Sequence, residues 1–527
     1  MVKSITDRAI GRSMLVEKNP EAISRFLSDE SNAIIAGPDS VSAVYFPESE
    51  EDIANTVKAC LKNEQPMTIS GAGTGICGSR VPVKGGIVIS MEKMLHASKH
   101  EGCRAIIHKG LAGPITIFLD EKNCLAHVPP GISLSELSTA LPAKLIYPPD
   151  PTETSAFLGG TVATNASGAR CFHYGPTRNW IVGLRLVLAD GETLEVRRGR
   201  WSADENGIIN FTSEAGRNYL VRIPDYRMPE VKNAAGLYSK KGMDLIDLFI
   251  GSEGILGIVS EMTIKLLSIE KEPISVLAFF RSENDALGFA DILRRMKERG
   301  ILAIEYFDRY SLDFIRPEFP ELKPDLGAAI LLELNSGSSE LLGEVSEHLA
   351  RFNEVEDWCA TTAPDRRNLK EFRHSLPDAV NSYLKLHASY KIGTDFAVPG
   401  GHFSEMMDKY RKAGEKFRSR FPRTGAHHVM FGHIGDSHVH FNFITASDEE
   451  RAYAKDLYLE LARAAIALGG TISGEHGVGK KTLLVEGKTI PYIQVMYGEA
   501  GVREIARVKR ELDPQWLLNA GNIVGYE

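Results

Sequence analysis

The stretch His427–Phe443, HHVMFGHIGDSHVHFNF, holds five of the chain's 15 histidines. Its second half alternates. His438, His440 and Asn442 fall on one face of a strand, and Val439, Phe441 and Phe443 on the other. That pattern lets the apolar face pack into a core while the imidazoles face a cavity. His433 precedes a tight Ile434-Gly435-Asp436 connection and is in reach of the same cavity. Imidazole nitrogen suits Zn, Fe or Mn. On this stretch alone two readings stay open: a metal site, or a polar strand face satisfied by ordinary hydrogen bonds.

A length of 527 residues exceeds one core and predicts two or three domains. Hydrophobic residues at 43% and charged residues at 25% describe an ordinary globular protein. A net charge of −8 argues against a general nucleic-acid binder. The cysteines 60, 77, 103, 124, 171 and 359 form no CxxC pair, so neither a disulfide framework nor an iron–sulfur set is expected. A reduced, cytoplasmic compartment fits, with peripheral attachment at the inner membrane face left open. The first residues, MVKSITDRAIGRSMLVEKNPEA, lack the apolar core of a signal peptide. No apolar run of about 18 residues predicts a membrane span.

Residues 1–40 read as a helical arm, with Pro20–Leu27 at amphipathic helical spacing. Strand and helix signals then alternate to about 270. Strand 66–69 runs into Ser70–Ser79, SGAGTGICGS, whose glycines let backbone N–H groups converge on an anion such as a diphosphate. It is neither a Walker A loop nor a trusted Rossmann fingerprint. Tyr147–Gly175 is rich in Gly, Ala, Ser and Thr, the composition of a backbone lying against a flat ring. Two such clusters suggest one extended ligand. Strand 184–188 and strand 193–196 form a hairpin, 200–210 is a polar insertion, and Gly251–Val259 is a third glycine-spaced strand entry. From about 271 to 480 the pattern is α+β, including a long helix over 365–384, and the glycine-hinged turn Gly469–Gly479 carries Glu475 and His476. Residues 481–527 form a last helical segment, with its helix over 491–512.

These pieces resemble a known family. Ser70–Gly78, Asp150–Gly175, Gly251–Ile258 and the tail Leu518–Ile523 look like the flavin-binding fold of the vanillyl-alcohol oxidase superfamily. His433 and His440, Glu475-His476-Gly477 and the tail narrow the resemblance. They point to the branch of glycolate oxidase flavin subunits, D-lactate dehydrogenases and D-2-hydroxyglutarate dehydrogenases. The resemblance implies an α+β architecture. A two-subdomain PCMH-type FAD-binding fold spans 41–270, an α+β, ferredoxin-like cap spans 271–480, and the C-terminal segment returns to the flavin.

By that resemblance Gly71, Gly73, Thr74, Gly75 and Gly78 hold the FAD pyrophosphate. Pro149, Thr152, Gly159, Gly160, Thr164, Asn165, Gly168 and Tyr174 line the flavin and ribityl path. Gly257 and Ile258 meet the adenine end, and Asn519 returns to the ring. His433, His440 and Glu475 correspond to a divalent-metal site (Zn, Fe or Mn), with Asn442 beside it. His476 matches the general base, Arg373 the carboxylate grip, and Lys391 the lysine before the cap strand. The sequence departs from the family in four places. Pro377 stands where threonine is common, Lys391 is displaced by two residues, Gly435-Asp436-Ser437-His438 replaces Gly-Asp-Gly-Asn, and Asn522 replaces a lysine. The first two touch substrate recognition.

The expected activity is FAD- and metal-dependent oxidation of a D-2-hydroxy acid, with D-lactate ahead of D-2-hydroxyglutarate and glycolate. No second cofactor domain is evident. Electrons are therefore expected to leave to an electron-transfer flavoprotein, an iron–sulfur subunit or a quinone, and a homodimer is allowed. The rival readings are a flavin-dependent transferase like alkylglycerone-phosphate synthase, a flavin subunit that mainly scaffolds a complex, and a metal-dependent hydrolase without flavin.

Overall fold

The structure, a computed structural model, describes residues 14–31, 33–335, 339–352, 354–360 and 362–525. The first part of the expected arm, 1–13, lies outside them. The rest of the arm is only briefly helical: Pro20–Ile23 continues as a single tight turn, Ser24–Phe26. Leu15–Glu17 is instead a strand, paired antiparallel with Val41–Phe46.

Three sheets organise the rest of the chain. The first has four strands. Gly86–Ser90 lies parallel between Val41–Phe46 and Met67–Ser70, and the helix Glu50–Lys62 makes the crossover. That helix is started by a capping box between Ser49 and Asp52, and it buries Ile53, Val57 and Cys60 at helical spacing. The second sheet has six antiparallel strands, with Ile258–Lys265 and Leu125–Val128 at its centre and Ile181–Val187 beside the first of them. The segment read as a polar insertion is partly a hairpin, because Ile208–Thr212 pairs with Asn218–Arg222. Ile209, Phe211 and Val221 turn inward there at period two, and polar neighbours masked that alternation.

The third sheet has seven antiparallel strands, including Ile301–Asp308, His428–Gly432 and His440–Thr445. One face packs on Phe289, Tyr410 and Phe417. The other packs on Phe372, Leu376 and Val380 of the helix Ala363–Leu386. Pro377 lies inside that helix and removes the N–H that would bond the Arg373 carbonyl. The last helix, Gln494–Leu512, starts later than expected and breaks at Gly498, whose φ is +64°. Beyond it the tail adds Leu518 beside Met67, at the edge of the first sheet. No helix among the described residues is long and apolar enough to cross a membrane.

Candidate active site

A cavity of about 330 Å³ lies among the first sheet, the second sheet and the tail. Gly71, Gly73, Thr74 and Gly75 form one side. Thr152, Gly159, Gly160 and Thr164 form another, Gly257 and Ile258 the floor, and Asn519 closes the tail end. The two glycine stretches nearly touch, since a Cβ on Gly71 would sit 3.9 Å from the Gly160 Cα. A Cβ on Gly160 would meet nothing and would project into open space. The helix Leu158–Thr164 ends at Asn165, which takes the left-handed conformation at φ 51°. A cavity edged by glycines on both sides fits a flat cofactor such as FAD.

Five residues expected at the cofactor do not lie on this wall. Gly78 donates its N–H to Asp29 Oδ2 at 2.6 Å. Asn165 spends its carboxamide oxygen on the Arg178 N–H at 3.0 Å. Gly168 is pressed against Asp150, whose carbonyl oxygen a Cβ would meet at 2.0 Å. Tyr174 packs edge-on against Trp180, and Pro149 is absent from the lining. These residues shape the loops behind the wall. Asn519 both lines the cavity and joins its sides: its Oδ1 accepts from Ile69 N at 2.7 Å, and its Nδ2 donates to the Glu253 carbonyl at 2.9 Å.

Glu475 and His476 line the same cavity. Their turn is held by Glu253, which is 2% exposed and accepts from Val478 N and Gly479 N, each at 2.8 Å, and from Ser79 Oγ at 2.5 Å. Asp395 is the second anchor. Its Oδ2 accepts from His476 N at 2.9 Å and Ser473 Oγ at 2.6 Å, and lies 3.3 Å from His476 Nδ1. Its Oδ1 accepts from His438 Nε2 at 2.8 Å. Burial would raise the Asp395 carboxyl, but His476 and His438 hold it well below the usual range.

The histidines converge on Glu475. His440 Nε2 lies 3.1 Å from Glu475 Oε1, and His433 Nε2 lies 3.2 Å from the same carboxylate. Ligand atoms of His433, His438, His440 and Glu475 all fall within 4.8 Å of one another. The outer nitrogens decide the tautomers. His440 Nδ1 must donate to the Thr394 carbonyl at 3.2 Å, and His433 Nδ1 donates to Glu305 at 2.6 Å. A neutral ring at either position then turns its lone pair toward an anionic oxygen. Two acceptors at that separation need a proton or a cation between them. Burial works against a charge on His433, yet Glu305 and Glu475 raise it to about 9. Burial would likewise raise Glu475, but His433 and Lys232 hold it well below the carboxylate range. The donor set and its lone pairs fit a first-row divalent ion.

A charged group lies on the face of the seven-stranded sheet that carries Phe307 and Leu331, and Arg373, Asn442, Lys391, His433 and His440 stand outside the cavity lining that Glu475 and His476 share. Arg373 lies 3.4 Å from Glu305 Oε2 and 3.7 Å from Asp150 Oδ2, and its Nη2 has no hydrogen-bond partner. Arg170 pairs with Glu333 at 2.6 Å beside it. Asn442 is buried, its amide donating to the His440 carbonyl at 3.3 Å. Lys391 pairs across to Ile444, on the same sheet face as Asn442, and is exposed. His427 and His428 lie away from the cluster. His427 bonds the Phe421 carbonyl at 2.9 Å, and His428 stacks on Phe441.

Sequence reasoning missed four residues here. The Lys232 side chain is 2% exposed and donates to Glu475 Oε2 at 2.8 Å, placing an ammonium at the cluster's edge. Glu305 and Glu253 each tie a functional residue in place. None of these three carries a local pattern that marks it. Asp395 stood in the Lys391–Asp395 segment, and its distance in sequence from Glu475 hid its role.

Comparison with known proteins agrees with this geometry. The FAD binding domain family matches residues 41–197, and the FAD linked oxidases C-terminal domain family matches residues 270–523. D-lactate dehydrogenase of Anaerostipes hadrus is 28% identical over 492 residues, spanning 90% of this chain and 88% of that one. Glycolate oxidase subunit GlcD of Bacillus subtilis is 26% identical over 494 residues, spanning 92% and 89%. A solved alkyldihydroxyacetonephosphate synthase shares the fold, with a TM-score of 0.65 at 16% identity, covering 96% of this chain and 81% of that one. The chain therefore belongs to the FAD-linked oxidases, in the branch that holds the D-lactate dehydrogenases and the glycolate oxidase flavin subunits.

Proposed function

We propose that this flavoenzyme oxidises a D-2-hydroxy acid to the 2-oxo acid, with D-lactate ahead of D-2-hydroxyglutarate and glycolate. One observation carries the reading. Adjacent residues Glu475 and His476 face the glycine-walled cavity, while Glu475 also touches His433 and His440. When bound, FAD supplies the hydride acceptor, and a divalent ion (Zn, Fe or Mn) on His433, His440 and Glu475 supplies a Lewis acid for the substrate hydroxyl.

The chain's own groups do the rest. His476 takes the hydroxyl proton at Nε2, since Asp395 faces its Nδ1 and sets the ring. Arg373 grips the substrate carboxylate through its free Nη2 edge, with Glu305 and Asp150 fixing the guanidinium. Asn442 and Lys391 sit on the wall toward the rest of the substrate. The glycine walls exclude water from the reacting face. Electrons then pass to a separate acceptor, which we take to be an electron-transfer flavoprotein, an iron–sulfur subunit or a quinone. Work at the cytoplasmic side, with or without peripheral membrane attachment and self-association, is compatible with this scheme.

The test is a dye-reduction screen over D- and L-2-hydroxy acids before and after chelation. Reduction by a D-acid that is lost with the metal and restored by its return is expected. Turnover indifferent to the chelator would remove the metal from the scheme. The shared fold with alkyldihydroxyacetonephosphate synthase motivates a second reading, a flavin-dependent transferase. That reading predicts exchange of substrate groups with no net dye reduction.

A further inference from the structure

His438 occupies a position the three-residue ligand set leaves unused. It is fully buried, at 0% exposure, and its ring lies against the backbone of Gly474, where a Cβ would come within 2.9 Å. Its Nε2 donates to Asp395 Oδ1 at 2.8 Å, and its Nδ1 has no hydrogen-bond partner. The Nδ1 atoms of His173, His348 and His428 are likewise unpartnered, but of these four rings only His438 stands in a group of candidate metal ligands, with a ligand atom within 4.8 Å of those of His433, His440 and Glu475.

The three histidines share one plan. His433 is held from outside by Glu305, His440 by the Thr394 carbonyl and His438 by Asp395. In each, one nitrogen donates outward to an oxygen, and in the neutral ring the other carries a lone pair. For His433 and His440 that lone pair faces Glu475. For His438 nothing in the protein meets it, although its ring centre lies 4.6 Å from that of His440 and 5.5 Å from that of His433. Outward donation to a carboxylate or carbonyl is how metal-bound imidazoles are oriented.

We propose that His438 is a fourth protein ligand, completing a set of three imidazoles and one carboxylate with His433, His440 and Glu475. The proposal rests on the metal reading of this site and goes past the two-histidine set that the family resemblance implies, because that family usually has asparagine at this position. It also constrains the ion. Four protein ligands would fill a tetrahedral zinc and leave no place for substrate, whereas a six-coordinate Fe, Mn or Co ion would keep two positions for substrate oxygens. Asp395 then positions two functional rings at once, the ligand His438 and the base His476.

The experiment uses full-length, flavin-loaded protein and Co²⁺ alone as the probe. Cobalt affinity is measured by chelator competition for the wild type and His438→Asn, with flavin content and circular dichroism as folding controls. Loss of a ligand is expected to weaken Co²⁺ binding by at least about 10-fold. X-ray absorption of the Co²⁺-loaded wild type is expected to count three imidazoles, falling to two in the variant. Unchanged affinity, or two imidazoles in the wild type, would overturn the proposal while the two-histidine site stands. If the wild type binds no stoichiometric cobalt at all, the metal reading itself fails, and His438 with it. If His438→Asn does not fold, the imidazole count of the wild type alone decides.

Discussion

Two walls meet at Glu475 and His476, and they are built in opposite ways. The cavity wall on the cofactor side is largely backbone. It is made of glycines and small residues whose value is the side chain they lack, and each acts almost alone. The histidine wall is made of side chains that hold other side chains: Glu305 on His433 and Arg373, Asp395 on His438 and His476, Lys232 on Glu475. The first excludes by shape. The second works through a buried network of charges, in which removing one member leaves its partners uncompensated. Errors should therefore stay local in the first wall and spread in the second.

The sharpest way to break that contrast is Gly160→Leu. A Cβ there has nothing within 4 Å, so the expected variant is folded, keeps the ion proposed for the histidine wall and carries no flavin, with turnover abolished. Metal analysis and flavin absorbance read the two walls separately, and simultaneous loss of metal would show that they are not independent. Next in size is His476→Ala. Flavin should stay bound, while its reduction by the hydroxy acid slows by about 10²- to 10⁴-fold in anaerobic rapid mixing. Rapid reduction by the variant would take the proton-acceptor role from His476.

Asp395→Asn should have a smaller but broader effect. The amide would turn an N–H toward groups that now donate to a carboxylate, so both metal affinity and flavin reduction should fall, each by roughly 10- to 100-fold. Combined with His476→Ala, the losses in flavin reduction should be less than multiplicative, as two members of one network require. Full multiplicativity would separate Asp395 from the base.

The smallest effect is on stability. Burial lowers His428 from the ordinary 6.5 to about 4. Between those values the unfolded chain binds a proton that the folded chain refuses. Stability from this residue is thus complete above 6.5 and falls as the pH drops toward 4, by at most about 1.4 kcal/mol per pH unit. Denaturant midpoints at pH 7 and pH 5 should converge for His428→Leu relative to wild type. An identical acid slope in both proteins would discount His428.

Much of this was legible along the chain. Period two in 438–443 announced a strand, which the structure places at His440–Thr445 and buries on both faces, and glycine clusters announced the cavity wall, because both signals are local. The long helix expected over 365–384 appears as Ala363–Leu386, and the hairpin expected from 184–188 and 193–196 appears as Ile181–Val187 paired with Thr193–Arg197. The hairpin at 208–222 was hidden by its polar neighbours. Gly78, Asn165 and Gly168 match a cofactor motif, yet they serve the loops behind the wall. A motif marks a stretch of backbone and does not say which of its atoms face inward.

The chain alone supplied the residue types available for the chemistry: histidines at strand spacing, a Glu-His pair on a glycine turn, and two clusters of glycines and other small residues. Only the tertiary structure decided how these groups divide their bonds. It turned His428 into an aromatic stack, tied His433 to Glu305, and left one nitrogen of His438 without a partner. The physical reason is that an imidazole's role depends on what meets each of its two nitrogens. Those partners come from strands and turns far apart in the chain, brought together only when the sheet and the Glu475 turn close over one buried volume.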